Sequence, residues 1–235
     1  MENYYDSNSY GSYDSFAVSS ASLIRTVYLW MTGALAVTGL TAWYVAHNAA
    51  AMSFIFGHSG VMFGLIIAEL ALVIGLSHSI EKLSPVAATI MFLLYSMVNG
   101  ATLASIFVVY ELGTIASAFF TTAATFGVMA IFGAVTKRDL TKVGNICIMA
   151  VIGLIIAMLV NIFLKSSMFE LIISAIGVLV FTGLTAYDSQ KIKEMLYGQP
   201  ENDMTIKISI LGALTLYLDF INLFLYILRI FGRRN

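Results

Sequence analysis

The sequence predicts an all-α polytopic membrane protein, a bundle of seven transmembrane helices with the last helix at its centre. Hydrophobic residues make up 60% of the 235 residues and charged residues only 11%, and the mean hydropathy is +0.91. Soluble domains contain about 25% charged residues, so this composition excludes a soluble globular protein. The apolar residues are collected into repeated runs of about 18 to 25 residues, the length that a helix needs to cross a bilayer.

Seven apolar segments follow an N-terminal tail, and short connectors join them. Sequential helices with short connectors pack as antiparallel neighbours, so residues 23–235 are expected to form a single membrane domain. Residues 1–22 are rich in Tyr, Ser and Asn and are predicted to be a disordered cytoplasmic tail. The predicted spans are 27–46, 53–77, 85–109, 114–135, 146–164, 168–187 and 205–230.

The last span carries a carboxylate in the middle of an apolar run. Thr215, Asp219, Asn222 and Tyr226 recur at steps of four, three and four residues, which places them on one face of a helix. An acid at the centre of the bilayer costs roughly 2.5–3.5 kcal/mol, so this polar face must be turned inward. We therefore expect the other helices to surround the last one and to shield Asp219.

Asp188, near the end of the preceding apolar segment, is the candidate partner of Asp219. If the sixth helix continues to Tyr197, Asp188 lies about 14 Å from its end, and Asp219 lies about 22 Å beyond Met204. A turn at residues 198–203 makes the two helices antiparallel. The carboxylates then lie within about two helical turns of equal depth, and a small tilt would bring them together. The sequence allows a facing pair of aspartates without proving it.

Further polar residues lie within the apolar spans. Glu69 in the second span is a candidate functional residue, because an acid inside a membrane is costly and marks a functional site by default. The alternative is a carboxyl kept neutral by burial and hydrogen-bonded to the backbone. Tyr95, Asn99 and Thr102 form a stripe on the third span that we interpret as a packing contact between helices. Cys147 is the single cysteine, which excludes an intramolecular disulfide or a cysteine-ligated cluster.

Both aspartates lie in longer motifs, FTGLTAYDSQKIKEM at 181–195 and LTLYLDFINLFLYILRIFGRR at 214–234. Upstream, the chain has YSMVNGATLASIFVVY at 95–110 and TKRDLTKVG…GLIIAMLVNIFL within 136–164. Together these segments resemble the Bax inhibitor-1 family of transmembrane proteins, in its bacterial-type members. The resemblance extends over residues 23–234, and its paired-aspartate motifs are specific.

The resemblance implies a seven-helix bundle with a central last helix and a pH-sensitive calcium leak across the membrane. The family's leak is governed by an aspartate pair that corresponds to Asp188 and Asp219. Two carboxylates in contact at low dielectric cannot both ionise cheaply, so we expect this pair to share one proton. The resemblance also places Glu69 along the ion pathway, and we expect Thr215 and Asn222 to line it as well.

One region departs from the family pattern. Bacterial relatives carry an arginine near the end of the second helix, and this arginine latches onto the aspartate pair. Here the corresponding region reads LSHSIEKLSP at 76–85, so the only candidates for the latch are His78 and Lys82.

Two other classes of function stay open from the sequence. An intramembrane aspartyl protease also uses two aspartates on neighbouring helices, but such enzymes carry Gly-x-Gly-Asp and a following Pro-Ala-Leu. This chain has Tyr-Leu-Asp-Phe at 217–220 with no proline after it, so we expect no enzymatic activity. The second alternative is a regulator without transport activity that binds other membrane proteins, such as a quality-control protease.

The expected ligands and partners follow from the same residues. Asp188 and Asp219 are candidate metal ligands, but Ca²⁺ takes six to eight oxygens and the chain has no EF-hand loop, so binding should be weak, as permeation requires. No resident cofactor is expected. Membrane lipids, calcium ions, protons and other membrane proteins are the expected partners, and a net charge of −1 argues against nucleic acid. The expected location is a bacterial inner membrane.

The distribution of Lys and Arg predicts the orientation. Eight of the twelve basic residues lie on the side of the N-terminus and four on the opposite side, so the N-terminus should be cytoplasmic and the C-terminus exported. The basic C-terminal tail fits the alternative, a re-entrant last segment that returns to the cytoplasm. A reporter fused after Asn235 should therefore read as exported; a cytoplasmic reading would favour the re-entrant segment.

Overall fold

The computed structural model describes residues 8–200 and 202–232, with only the backbone described over 8–21. All the secondary structure in this part of the chain is helical, in nine elements. These helices are α1 (Asn8–His47), α2 (Ala49–Phe56), α3 (Ser59–Ser79), α4 (Pro85–Leu103), α5 (Ile106–Val109), α6 (Leu112–Val135), α7 (Thr141–Leu164), α8 (Ser167–Leu196) and α9 (Asp203–Phe231).

The N-terminal tail differs from the prediction over part of its length. Residues 1–7 of the predicted disordered tail lie outside the described residues. Residues 8–22, however, belong to α1, which begins at Asn8. Helical hydrogen bonds close within four residues and this segment contains no proline, so nothing in it stops the helix from extending upstream of the apolar span.

Within the described residues, seven helical stretches are long and apolar enough to cross a membrane, as the sequence predicts. Two predicted spans are interrupted. The second divides at Gly57 and His58 into α2 and α3, and the third divides at Ala104 and Ser105 into α4 and α5. Asn48 caps the start of α2 by accepting a hydrogen bond of 3.0 Å from the N–H of Ala51, so α2 is a separate short helix rather than part of a span.

The last helix, α9, lies at the centre of the bundle, as predicted. It packs against α1, α4, α6 and α8. In the most apolar stretch of α9, 67% of the residues are buried, compared with 39% in α8 and 6% in α3. The helices α3 and α7 are peripheral, since α3 packs on α2 and α4 and α7 packs on α8. The lipid-facing surface of the bundle is therefore supplied mainly by the outer helices.

Side chains of α8 tie it to the connector between α6 and α7. The Gln190 amide accepts a hydrogen bond of 2.9 Å from the N–H of Leu140 and donates one of 2.9 Å to the carbonyl of Arg138. Lys193 donates a hydrogen bond of 2.6 Å to the carbonyl of Ala134 at the end of α6. These contacts fix the end of α8 that carries Asp188.

Two glycine residues allow α8 to pack closely against its neighbours on both sides. A Cβ atom at Gly133 of α6 would overlap with the backbone of Ala186 on α8. On the opposite side, a Cβ atom at Gly177 of α8 would overlap with the aromatic ring of Tyr226 on α9. Small residues at such positions allow membrane helices to approach closely, and here they hold α8 between α6 and α9.

The contact at Gly133 gives a test of this packing. Gly133→Ala should destabilise the folded protein by about 1–3 kcal/mol, because the facing group is backbone and cannot move aside as a flexible side chain would. Gly153→Ala is the matched control, since a Cβ atom at this exposed position of α7 meets nothing within 4 Å. Thermal unfolding of the purified protein in detergent measures both variants. Equal stability of the two variants would contradict the close α6–α8 approach.

Candidate functional site at the interface of α8 and α9

The structure brings Asp188 and Asp219 together across the interface of α8 and α9. Their side chains lie within hydrogen-bonding reach of each other. Asp219 is only 4% exposed, and Asp188 is half-buried. Two ionised carboxylates in such contact would repel each other strongly, so the arrangement is suited to a pair that shares one proton.

Two more groups surround the aspartate pair. Lys191, one turn beyond Asp188 on α8, interacts electrostatically with it, and its ammonium group lies 5.7 Å from the centre of the Tyr187 ring. Cys147 of α7 is a free, buried thiol close enough to both aspartates to interact with their charge. The pair thus has one cation near its Asp188 side and an apolar environment near Asp219.

Two buried polar atoms of the described side chains have no hydrogen-bond partner, the Oδ2 of Asp219 and the Oγ of Ser189. One belongs to the aspartate pair itself and the other to the residue next to Asp188 in the chain. Buried polar atoms are nearly always hydrogen-bonded, so an unpartnered atom calls for an explanation such as a water or an ion. Both atoms are oxygens, which are the ligand type of hard cations.

Glu69 lies in a separate polar network. Its carboxylate accepts a hydrogen bond of 2.6 Å from the hydroxyl of Thr102 on α4 and a further one from the side chain of Asn99. The hydroxyl of Tyr217 on α9 donates a hydrogen bond of 2.9 Å to Asn99 Oδ1. The interpretation of Asn99 and Thr102 as contacts between helices is therefore confirmed, and Glu69 is one of the groups that they bind.

The network continues from α9 to α1. The hydroxyl groups of Thr38 and Tyr217 lie 2.7 Å apart, and Thr38 also donates a hydrogen bond of 2.9 Å to the carbonyl of Ser96 on α4. Tyr217 is fully buried and Thr38 is 4% exposed. Sequence reasoning missed both residues. The sequence contained one signal for each residue. Thr38 places a hydroxyl group in the apolar first span, and Tyr217 places one two positions before Asp219.

The aspartate pair and the Glu69 network contact α9 on opposite faces, through Asp219 and Tyr217 respectively. Tyr217 and Asp219 are two positions apart, which corresponds to a rotation of about 200° around a helix. The structure therefore does not place Glu69 on the same side of α9 as the aspartate pair. The other predicted pathway residues, Thr215 and Asn222, are half-buried and hydrogen-bond to carbonyl groups of their own helix at 3.1 and 2.8 Å.

Residues 20–235 match the family described as "Inhibitor of apoptosis-promoting Bax1". The chain belongs to the Bax inhibitor-1 family. The inner membrane protein YbhL of Escherichia coli K12 is 53% identical over 211 residues, which cover 89% of this chain and 90% of that relative. An uncharacterized protein of Borreliella burgdorferi is 42% identical over 213 residues, covering 90% and 92%. An uncharacterized membrane protein of Streptococcus pyogenes serotype M1 is 43% identical over 175 residues, covering 74% and 76%.

His78 and Lys82, the candidates for a latch, are not among the groups that interact with the aspartate pair. His78 lies in the last turn of α3 and Lys82 in the following connector, and both are exposed. The connector that carries Lys82 reaches α9 at Lys207, which donates a hydrogen bond of 2.9 Å to the carbonyl of Glu81. Lys207 is twelve residues, about 18 Å along the helix, from Asp219. The cation that does interact with Asp188 is Lys191.

The predicted metal ligands of this Bax inhibitor-1 protein are the two aspartates alone. Among the described residues, no three His, Cys, Asp or Glu side chains converge to hold a metal ion. A pair of carboxyl groups supplies fewer oxygens than the six to eight that Ca²⁺ takes. Any calcium ion at Asp188 and Asp219 would need backbone, hydroxyl or water oxygens to complete its coordination.

The Tyr217 network gives a testable expectation for stability. Tyr217→Phe removes the hydroxyl that contacts Asn99 and Thr38, and hydrogen bonds between membrane helices contribute about 0.6 kcal/mol each and at most about 1.7. We expect a loss of about 1–2 kcal/mol in thermal unfolding. Tyr226→Phe is the control and should cost less, because that hydroxyl has only a sulfur acceptor at 3.8 Å. A Tyr217→Phe protein as stable as the control would show that the network does not stabilise the bundle.

Proposed function

We propose that this chain forms a pH-sensitive calcium leak in a bacterial inner membrane, with the Asp188–Asp219 pair as its proton sensor. The observation that carries the proposal is the contact between two carboxyl groups inside a membrane bundle. The N-terminus faces the cytoplasm in this proposal, following the bias of basic residues. We infer that the pair does not catalyse proteolysis, since the chain lacks the protease motifs.

The protonation state of Asp188 and Asp219 controls the strength of the hydrogen bond between α8 and α9. With one shared proton, the pair forms an O–H···O⁻ hydrogen bond, which is about twice as strong as a neutral one. A second proton replaces this bond by a weaker neutral one, and loss of the shared proton leaves two like charges in contact. Either change loosens the helix pair, and a protonation event that biases a packed interface can gate a pore.

The helix contact that would open lies two to three turns from the pair. Tyr226 is seven residues from Asp219, about 10 Å along α9, and its ring covers Gly177 of α8. The Phe181 ring also packs on Tyr226, with ring centres 5.8 Å apart. Tyr226 and Phe181 together close the space between α8 and α9, and we call them the aromatic plug. Separation of α8 from α9 would open this contact.

A polar cavity lies beyond the plug. It has a volume of about 560 Å³, and Asn161, Lys165, Glu170 and Arg229 are among its lining residues. Its position at the far ends of α7 and α9 suits a water-filled mouth for ions that pass Tyr226. A calcium ion at the pair itself would contact the free Oδ2 of Asp219, a binding site weak enough to release the ion.

Ion flux into liposomes tests the sensor. Asp188→Asn and Asp219→Asn should each flatten the pH dependence of calcium flux, because each leaves a single carboxyl with no partner to share a proton. The double substitution should add little beyond either single one, since the pair acts as a unit. Flux is measured with a calcium indicator inside the vesicles, across a series of external pH values, at matched protein density.

Asp203→Asn is the matched control, because Asp203 is exposed in the first turn of α9 and should leave the pH profile unchanged. If Asp188→Asn keeps the wild-type midpoint and steepness, the sensor lies elsewhere, and Glu69 is the next residue to substitute. If the purified wild-type protein supports no flux at any pH, the chain is instead a regulator without transport activity.

A further inference from the structure

A groove lined by apolar side chains runs between α1 and α6, with α9 as its floor. Two cavities of about 570 and 420 Å³ lie along it. Leu35, Phe119 and Phe220 line both cavities, so the two lie end to end along α1, and we refer to them together as the groove. Phe119 is 43% exposed, which leaves the groove open to the lipid surrounding the bundle. Asp188, Asp219 and Glu69 are not among the residues that line it.

The side of the groove formed by α1 is a regular stripe. Tyr28, Thr32, Leu35, Gly39 and Ala42 line the cavities at steps of four, three, four and three residues. The fourteen steps from Tyr28 to Ala42 correspond to about 21 Å of helix, more than the roughly 15 Å of hydrocarbon in one leaflet of the bilayer. The groove is therefore long enough for an extended acyl chain.

Both walls of the groove contain a glycine that leaves space unfilled. A Cβ atom at Gly39 on α1 would meet nothing within 4 Å, and the same holds for Gly127 on α6. Both residues line the cavities. This is the opposite of Gly133, where the Cβ position is occupied by the backbone of α8. Gly39 and Gly127 thus widen the groove without serving a helix contact.

The lining of the groove and its opening to lipid decide which kind of occupant fits. The walls are almost entirely apolar side chains. A hydrocarbon chain is narrower than a helix, which is about 10 Å across with its side chains. A lipid chain therefore suits the groove, and its charged headgroup would lie at an end that carries complementary residues.

Basic residues mark one end of the groove. Arg25 precedes Tyr28 by one turn on the same helix face, and Lys137 and Arg138 follow Val135, the last groove residue of α6. All three basic side chains are exposed. Asp139 also lies at this end, and hydrogen bonds from the side chain and backbone of Thr141 hold its pKa below the ordinary value.

The charge of Asp139 does not cancel the basic residues. It interacts electrostatically with Lys142, a fourth cation on the same connector. Lys193 lies at this end as well, since it donates its hydrogen bond to Ala134. Basic residues beside the membrane surface attract anionic lipid headgroups, so this end of the groove is complementary to a phosphate-containing headgroup with net negative charge.

We propose that the groove between α1 and α6 is a binding site for an anionic glycerophospholipid. One acyl chain lies along the groove between Leu35 and Phe119, and the headgroup lies at the end marked by Arg25 and Lys137. The bound chain contacts Phe119, whose ring packs on that of Phe220 with ring centres 5.6 Å apart. It therefore lies one side chain away from α9, beside the residue that follows Asp219.

Native mass spectrometry of the delipidated full-length protein tests this site. The protein is titrated with phosphatidylglycerol and with phosphatidylcholine of identical acyl chains, and tighter binding of phosphatidylglycerol is expected. Removing each basic residue should weaken phosphatidylglycerol binding about fivefold. The double variant Arg25→Gln/Lys137→Gln should therefore bind phosphatidylglycerol about 25-fold more weakly than the wild-type protein and phosphatidylcholine almost unchanged. These exposed substitutions should not disturb the fold.

A second pair of variants fills the groove itself. Gly39→Leu/Gly127→Leu should weaken the binding of both lipids at least tenfold, whereas Gly153→Leu, at an exposed and open position of α7, should leave both unchanged. Equal binding of the two lipids by the wild-type protein would overturn the proposal, and so would wild-type lipid binding by the groove variant. A dimer that is lost in the groove variant while lipid binding persists would assign the groove to a second copy of this chain.

Discussion

The contact between the carboxyl groups of Asp188 and Asp219 constrains the rest of the bundle. A single acid at the middle of a bilayer costs roughly 2.5–3.5 kcal/mol, and this fold places a second acid against the first. In the proposed function the pair shares one proton, which lowers its charge to one. The surrounding helices then have to keep lipid away from that charge, which explains why α9 packs against α1, α4, α6 and α8.

A second polar centre on the other face of α9 complements the first. Tyr217 binds Asn99 of α4 and contacts Thr38 of α1, whereas Asp219 contacts Asp188 of α8. The central helix is thus held by polar contacts on two faces, in a bundle whose outer surface is apolar. In the proposed function, a change in protonation on one face moves α9 relative to α8 while the Tyr217 network retains its contacts with α4 and α1.

The seven spans could be predicted from the length of the apolar runs, and the central last helix from the cost of its polar face in lipid. Helix lengths alone left Asp188 and Asp219 within about two turns of equal depth, and the resemblance to the family supplied their pairing. The Tyr217 network could not be predicted in the same way. Which residues meet across helices depends on the rotation of each helix about its axis, and a nearly uniformly apolar helix such as α3 gives little indication of its rotation. For that reason Glu69 was recognised as unusual, but its partners and its side of α9 were not.

Infrared difference spectroscopy of the purified protein in lipid tests the shared proton most directly. At neutral pH the wild-type protein should show the carbonyl stretch of a protonated carboxyl group, and this band should shift or disappear in both Asp188→Asn and Asp219→Asn. The change is expected in either single variant because the remaining acid no longer shares its proton with a second carboxyl group. A band that is absent from the wild-type protein, or that persists unchanged in both variants, would contradict a proton shared between Asp188 and Asp219.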